Sequence, residues 1–292
     1  MNNLDKQLFE RVCNNDIAGA KKILKIILEK DHTQANRAFC NRLLIRLNNS
    51  AMNLMELPAD IKSLLIMEDV SVSFNENRYY LSQREQEIAE KIISMNRVAG
   101  RLADIGVNYV NSTMLYGESG TGKTTFGRYL AHKMGLPFAY LNFSRTVDSY
   151  LGSTQKNISK VFDYIKQQKC VFMLDEVDAI GMKRGKEDVG EMSRIVISLM
   201  QNLDTLTSDI TLLGATNRLD IIDEALLRRF TTKHEVKRLG VNERREMAEK
   251  FFGDVEYEIS PIELRELAMV HDTQAGLMNR IVMVMVRHYT EK

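Results

Sequence analysis

The apolar residues near the start of the chain recur at the spacing of an α-helix. Leu4, Leu8 and Val12 lie four residues apart, and a second apolar run extends from Ile17 to Leu28. Side chains three or four positions apart share one face of a helix, so each run predicts an amphipathic helix. Thr33 is expected to cap a third helix. The first 70 residues therefore indicate a small helical bundle, which either packs on the rest of the chain or binds a partner.

From Leu81 onward the pattern changes to α/β. A long helix is expected through Ile88, Ile92 and Val98. Short apolar runs then alternate with segments long enough for a crossover helix, which predicts a parallel sheet with helices on both faces. The expected strands are residues 113–116, 138–143, 170–174, 210–213 and 234–237. After Leu239 the pattern is helical again to the last residue.

These patterns divide the chain into three parts. Residues 1–75 are expected to form an N-terminal helical domain for substrate or adaptor binding. Residues 76–239 are expected to form the α/β domain, and residues 240–292 a small helical lid. Pro58 and the segment 71–80 are interpreted as boundary and linker, because proline and polar residues there interrupt the apolar periodicity.

Composition narrows the class of protein only modestly. The 292 residues are 44% hydrophobic and 27% charged, with a formal net charge of +1. This balance gives no electrostatic bias toward nucleic acid or membranes. Three widely spaced cysteines, no signal-peptide pattern and no long uncharged apolar run lead us to expect a soluble cytoplasmic protein without a membrane span.

A phosphate-binding loop follows the first strand of the α/β segment. Residues 117–124, GESGTGKT, match the pattern G-x-x-x-x-G-K-[ST] without a gap. Glycines let backbone N–H groups point at phosphate oxygens, and the helix that follows adds its positive N-terminal end. Lys123 is expected at the β- and γ-phosphates, and Thr124 on Mg²⁺. The expected nucleotide contacts are Gly117, Glu118, Ser119, Gly120, Thr121, Gly122, Lys123, Thr124 and Thr125.

Polar residues at the ends of two later strands complete a hydrolytic site. Asp175 and Glu176 follow four apolar residues, 171–174, and Asn217 follows another apolar run. Asp175 is expected to hold Mg²⁺ together with Thr124, and Glu176 to act as general base for the attacking water. Asn217 is expected to reach the γ-phosphate and orient that water. The sequence therefore predicts ATP as the nucleotide and Mg²⁺ as its metal.

The order of these motifs resembles the AAA family within the AAA+ ATPases. The similarity covers about 210 residues from Leu81 onward. Residues 175–181 resemble the family's acidic box, and residues 215–218 its sensor 1 motif. Residues 223–230 resemble its arginine-finger region, where the compact Leu-Arg-Arg-Phe is most similar to spastin and katanin. The resemblance implies an AAA+ P-loop domain with a helical lid, and a homo-oligomeric ring of six subunits.

The resemblance also implies roles for two arginines and one tyrosine. Arg228 and Arg229 would enter a neighbouring subunit's site and stabilise charge on the γ-phosphate, which suits a guanidinium group. The triplet from Tyr150 to Gly152 resembles the family's central-pore loop, where an aromatic ring grips an extended polypeptide. Residues 185–190, with the charged Lys183, Arg184, Lys186 and Glu187, would be a second pore-facing loop, or simply a solvated one.

The sequence departs from the family pattern at several points. Most relatives have Pro-Pro where this chain has Glu118-Ser119, which should not impair phosphate binding because backbone groups make the contacts. The family's motif before the first strand is not recognisable, so no residues can be assigned to the adenine base. In the lid, either the small pair Ala275-Gly276 or Arg280 would serve as sensor 2.

Three functions are compatible with these motifs. The first is a protein-remodelling motor that hydrolyses ATP in a ring and threads a polypeptide through the central pore. The alternative is a nucleic-acid-associated loader, against which the near-neutral charge and the lack of a DNA-binding module argue. The third is a nucleotide-gated scaffold, which the complete set of hydrolytic residues disfavours. The sequence names neither the substrate nor the task of the N-terminal helices.

Overall fold

The computed structural model of the chain describes residues 3–13, 17–30, 36, 40, 43, 55–144, 151–180 and 191–290. Two helices begin the chain, α1 over Asn3–Cys13 and α2 over Ile17–Lys30, and they pack against each other as the apolar spacing predicts. Most of the helix expected after Thr33 lies outside the described residues. No helix within the described ranges is long and apolar enough to cross a membrane.

A six-stranded sheet forms the centre of the fold and confirms the α/β class. Its strands are β1 Leu65–Glu68, β2 Asn111–Tyr116, β3 Phe138–Asn142, β4 Cys170–Asp175, β5 Ile210–Thr216 and β6 Thr232–Glu235. Their order across the sheet is β1-β3-β4-β5-β2-β6. The neighbours from β3 to β6 are all parallel, while β1 pairs antiparallel with β3. Parallel strands need crossovers, which the helices between them provide.

Strand β1 corrects the sequence prediction in two respects. Leu65–Glu68 lies in the segment expected to be helical, and it makes the sheet mixed where an all-parallel sheet was expected. A four-residue apolar run carries too little periodicity to distinguish a strand from a turn of helix. Tertiary packing decides here, because Leu65 and Met67 are each only 1% exposed and the ladder to β3 pairs their backbone groups.

Helices cover both faces of the sheet. The predicted long helix is α4, Gln83–Asp104, which begins with a capping box between Ser82 and Glu85. The segment expected to be a linker contains a short helix, α3 at Val70–Ser73, and a 3₁₀ turn at Glu76–Arg78. Among the described residues, the further α-helices before Leu239 are α5 Lys123–Met134, α6 Leu151–Ile165, α7 Glu191–Leu203 and α8 Glu224–Leu227.

Alternate residues of the central strands enter two hydrophobic cores. On β4, Phe172 and Leu174 pack with α6 and α7 on one face, while Val171 and Met173 pack with α4 and α5 on the other. Because both faces are covered, the strand is apolar from Cys170 to Leu174, which is typical of a buried parallel strand. This rigid sheet positions the loops at the carboxyl ends of its strands.

Three helices follow Leu239, as the apolar pattern predicts. They are α9 Val241–Asp254, α10 Pro261–Met269 and α11 Gln274–Thr290, and they share a core of their own that includes Phe252 and Ile281. The segment around the 3₁₀ turn at Glu76–Arg78 contacts α9. Arg78 pairs with Asp254 at 2.5 Å, and Lys250 donates to the carbonyl oxygen of Tyr79 at 2.6 Å.

Candidate functional site

The loop after β2 has the backbone that phosphate binding requires. Gly117, Gly120 and Gly122 have φ values of 143°, 79° and 94°, a region that glycine adopts without strain. A Cβ on Gly117 would lie 2.3 Å from the carbonyl oxygen of Val236, so no other residue fits there without moving β6. Gly122 is the N-cap of α5, whose N-terminal end therefore faces the loop.

Lys123 is buried inside this loop at 7% exposure. Its ammonium group donates to the carbonyl oxygens of Gly117 and Glu118 and to Oδ1 of Asn217, each at 2.8 Å. Burial lowers the pKa of Lys123, and the carboxylates of Asp175 and Asp178 partly oppose this shift. The site therefore holds a desolvated cation, which a bound phosphate would stabilise in its charged form.

Thr124 and Asp175 meet as the sequence predicts. The Thr124 hydroxyl donates to Asp175 Oδ2 at 2.9 Å, and the Tyr140 hydroxyl donates to the same oxygen at 3.0 Å. The backbone N–H of Glu176 donates to Asp175 Oδ1 at 2.8 Å. Three donors thus fix one carboxylate. Glu176 itself has φ of 54°, an uncommon conformation for a residue other than glycine, and its carboxylate belongs to the wall of the cavity described below.

These residues fit a magnesium ion. Thr124 gives its hydroxyl hydrogen to Asp175, so the lone pairs of its oxygen remain free for a metal. Carboxylate and hydroxyl oxygens suit Mg²⁺, which takes few protein ligands and completes its shell with water and substrate phosphates. No group of three His, Cys, Asp or Glu side chains forms a separate metal site among the residues that the structure describes.

Asn217 lies where the sequence predicts, directly after β5. Its Oδ1 accepts from Lys123, and its backbone N–H donates to Asp178 Oδ1 at 3.4 Å. Thr216 also donates to that oxygen, at 2.7 Å, so Asp178 ties the ends of β4 and β5 together. The sequence did not assign this role to Asp178, although its place in the acidic box could have indicated it.

A cavity of about 530 Å³ opens beside these residues, between the sheet and the lid. That volume is within the usual range for small-molecule sites. Its polar wall contains Asp175, Glu176 and Asn217 together with Ser119, Gly120, Thr121, Gly122, Lys123, Thr124 and Thr125. Gly117 and Glu118, the first two residues of the loop, do not line the cavity. Carboxyl ends of parallel strands form this wall, as is general for α/β folds.

Aromatic and apolar side chains also line the cavity. They include Tyr79, Tyr80, Leu239, Met247 and Met278, with the charged Arg78 and Glu85 among the same lining residues. A flat heterocyclic base would suit the aromatic and apolar part, to which the sequence assigned no contacts. In the sequence, the only indication of this part of the lining was the pair Tyr79 and Tyr80 in the segment interpreted as a linker. The fold places this pair beside lid residues more than 150 positions away in the chain.

The lid touches the phosphate-binding loop directly. The backbone N–H of Ala275 donates to the Gly120 carbonyl oxygen at 3.0 Å, and Ala275 also lines the cavity. Arg280 instead pairs with Asp272 at 3.1 Å, which lowers the pKa of that carboxyl group, and it is not part of the cavity wall. Of the residues considered for sensor 2, Ala275 lines the cavity, and the assignment of that role stays a prediction.

Glu118 makes a contact that the sequence did not predict. Its Oε2 accepts from Arg238 Nε at 2.7 Å, and Arg238 in turn lies 3.0 Å from Nδ1 of His271 in the lid. The residue that replaces a family proline therefore links the loop to the lid. Both side chains of this ion pair are substantially exposed, so it stabilises the contact only weakly.

The two predicted finger arginines lie apart from this cavity and differ from each other. The Arg228 side chain is 80% exposed, with Glu224 3.9 Å away. The Arg229 guanidinium binds both carboxylate oxygens of Asp204, at 2.9 and 2.8 Å, and the carbonyl oxygen of Ala225. Neither reaches the site of its own chain. Tyr150 and residues 183–190 lie outside the described residues.

Comparison with known proteins shows similarity to one family of ATPases. The profile of the ATPase family associated with various cellular activities (AAA) matches residues 113–238. Similar proteins include an uncharacterized AAA family ATPase y4kL of Sinorhizobium fredii, 27% identical over 72% of this chain and 66% of its own length. Two others are the peroxisomal ATPase PEX6 of Candida glabrata and the 26S proteasome regulatory subunit 6A of Saccharomyces cerevisiae.

The similarity to these last two is confined to part of each protein. The peroxisomal ATPase is 37% identical over 42% of this chain and 13% of its own length. The proteasome subunit is 33% identical over 51% of this chain and 36% of its own length. The chain thus spans between 13% and 66% of the length of these three relatives.

Proposed function

We propose that this chain, whose residues 113–238 match the AAA profile, is an AAA ATPase that binds ATP with Mg²⁺ in the cavity between sheet and lid and hydrolyses it. The observation that carries this proposal is the convergence of Lys123, Thr124, Asp175, Glu176 and Asn217 on one wall of that cavity. They come from three places, the loop after β2 and the carboxyl ends of β4 and β5, and together they supply every group that phosphoryl transfer to water requires within one subunit.

The side chains divide the chemistry among them. Lys123 places its charge beside the β- and γ-phosphates, after exchanging its present carbonyl partners for phosphate oxygens. Glu176 accepts a proton from the attacking water, whose oxygen bonds to the γ-phosphorus as the bond to the bridging oxygen breaks. Asn217 orients the water. Thr124 and Asp175 would hold Mg²⁺, which when bound would offset negative charge on the phosphates.

We further propose that the active form is a homo-oligomer, with six subunits as the resemblance implies. Arg228 supports this proposal, because it is charged, exposed and too remote to serve its own cavity. A guanidinium from a neighbour would supply the stabilising charge that this site lacks near the γ-phosphate. Arg229 would help orient that segment through its pair with Asp204.

The proposed work is remodelling or unfolding of a protein chain threaded through the ring. The names of two relatives, a peroxisomal ATPase and a proteasome regulatory subunit, are compatible with such work. Tyr150 is the residue we propose to contact the moving chain, and the N-terminal helices would select it. The nucleic-acid alternative predicts instead that DNA stimulates hydrolysis with a steep salt dependence.

Two variants test the proposed site directly. Lys123→Ala should lose most ATP binding, because the buried cation of the loop is removed. Glu176→Gln should bind ATP but not hydrolyse it, because an amide cannot accept the proton. Binding by calorimetry, turnover by phosphate release, and mass by light scattering with and without ATP are measured on both. Wild-type turnover in either variant, or an ATP-bound Glu176→Gln protein that stays monomeric, contradicts the proposal.

A further inference from the structure

A chain of hydrogen bonds runs from strand β3 to the carboxylate of Asp175. The Asn142 amide Nδ2 donates to the phenol oxygen of Tyr140 at 3.1 Å, and the Tyr140 hydroxyl donates to Asp175 Oδ2 at 3.0 Å. Strands β3 and β4 are parallel neighbours, and Asn142 is the register partner of Asp175. Tyr140 belongs to neither the phosphate-binding loop nor the acidic box, so neither motif explains its contact.

The chemistry of the groups sets the direction of this chain. An amide nitrogen can only donate, so the phenol oxygen of Tyr140 accepts from Asn142 and its own hydrogen is free for Asp175. Tyr140 therefore acts as the donor to Asp175.

Tyr140 and Thr124 together hold one oxygen of the carboxylate. Both donate to Oδ2, while the Glu176 backbone N–H occupies Oδ1. The Thr124 hydroxyl is itself an expected metal ligand, so it must satisfy the metal and the carboxylate together. The Tyr140 hydroxyl has no such second task and lies on a buried strand of the sheet. The Tyr140 hydroxyl can therefore hold the Asp175 carboxylate in place whether or not a metal ion is bound.

We propose that Tyr140 is a positioning residue for Asp175, and that its hydroxyl sets the affinity of the site for Mg²⁺. The inference rests on the proposed nucleotide site. Partners that orient a metal-binding carboxylate commonly change metal affinity by 10–100-fold when removed. Because Tyr140 is not part of the cavity wall, its hydroxyl should matter for the metal and not for nucleotide bound without metal.

Tyr140→Phe separates this role from packing. The substitution keeps the aromatic ring beside Phe138, whose centroid lies 6.3 Å away, and removes only the hydroxyl. The matched control is Tyr164→Phe. Tyr164 is also half-buried, on α6, and its hydroxyl contacts the sulfur of Met67 at 3.9 Å, far from the cavity. Asn142→Ala is a second variant, which retains the Tyr140 hydroxyl but leaves it less well oriented.

The experiment measures two affinities for each full-length variant. Fluorescently labelled ADP is titrated in EDTA, and Mg²⁺ is then titrated as the chloride into the nucleotide complex. Tyr140→Phe should raise the apparent Mg²⁺ dissociation constant about tenfold, leave ADP affinity in EDTA within about twofold, and leave the thermal midpoint in EDTA unchanged. Asn142→Ala should shift Mg²⁺ affinity in the same direction by less, and Tyr164→Phe should match wild type.

Other outcomes overturn the inference in distinguishable ways. An unchanged Mg²⁺ titration in Tyr140→Phe shows that the hydroxyl does not position the carboxylate. An equal loss of ADP affinity in EDTA assigns Tyr140 to the general shape of the site instead. Should Tyr140→Phe fail to fold, an unchanged Mg²⁺ affinity in Asn142→Ala decides against the chain of donors. Wild-type protein that binds no nucleotide contradicts the proposed function, and the inference with it.

Discussion

At the scale of single residues, several side chains of the site are held by hydrogen bonds within the chain, whereas the Arg228 side chain is exposed. Lys123 is hydrogen-bonded to Asn217, and Thr124 to Asp175, at the carboxyl ends of three adjacent strands. Arg228 is the opposite case, because it projects from α8 and is 80% exposed. Such a difference is what we expect of a site built in one subunit and completed by another.

The adjacent arginines should respond differently to substitution. Arg229→Ala should lower the free energy of unfolding by roughly 1 kcal/mol, because a bidentate ion pair with Asp204 and a bond to the Ala225 carbonyl oxygen are lost. Arg228→Ala should leave it unchanged within a few tenths of a kcal/mol, as is usual for exposed positions. Urea denaturation of both variants measures this difference. Equal stabilities would show that the Asp204 pair contributes nothing.

At the scale of elements, the segment 75–80 joins the P-loop domain to the lid. Arg78 and Asn75 both bind Asp254 at the end of α9, and the Tyr80 hydroxyl donates to Glu246 at 2.6 Å. Tyr79 and Tyr80 also line the nucleotide cavity. Contacts of α9 with this segment therefore hold the proposed base-binding wall in place.

Asp254→Ala should weaken nucleotide binding without touching the nucleotide. The substitution removes a largely buried carboxylate that both Asn75 and Arg78 bind, and so loosens the segment that carries Tyr79 and Tyr80. We therefore expect about a fivefold rise in the dissociation constant of ATP, or roughly 1 kcal/mol. Glu249→Ala is the control, since Glu249 on the same helix pairs with Arg245 at an exposed position. An equal effect in both variants would mean that the weaker binding comes from losing a negative charge on α9, and not from losing the contact between α9 and the segment 75–80.

The sequence predicted elements well where an apolar pattern was long or where a motif was contiguous in the chain. The strands β2 to β5, the helix α4 and the loop at residues 117–124 all lie where periodicity and motif placed them. It failed at Leu65–Glu68, where four residues carry no decisive period, and it could not assign the aromatic cavity wall. Both depend on contacts across the fold, between β1 and β3 and between residues 79–80 and the lid, which local pattern does not encode.

At the scale of the whole molecule, the division of the chain stays a prediction, but β1 changes how it should be tested. Residues 65–68 were assigned to an N-terminal helical domain, yet they pair with β3 in the central sheet. Leu65 and Met67 belong to the same core as Phe172 of β4. The P-loop domain therefore draws on chain that lies before residue 76.

Two truncations distinguish these boundaries. A protein of residues 55–292 keeps β1 and should bind ATP with near wild-type affinity. A protein of residues 76–292 exposes the edge of β3 and loses the buried Leu65 and Met67, which should cost roughly 3–6 kcal/mol of unfolding free energy. Thermal unfolding and ATP binding check both. Equal stability of the two truncations would show that β1 is dispensable to the sheet.

The central claim is that one subunit's cavity is completed by its neighbour's arginine, and mixing two inactive variants tests it most directly. Lys123→Ala lacks a working cavity but keeps Arg228, while Arg228→Ala keeps the cavity and lacks the arginine. An arginine finger contributes about 10³–10⁵ in rate in other nucleotide hydrolases, so each variant alone should be nearly inactive. An equimolar mixture at assembling concentration should hydrolyse ATP at least about tenfold faster than the two separate rates combined, since mixed interfaces join an intact cavity to an intact arginine. A mixture no faster than its components, or an Arg228→Ala protein with wild-type turnover, would contradict the account.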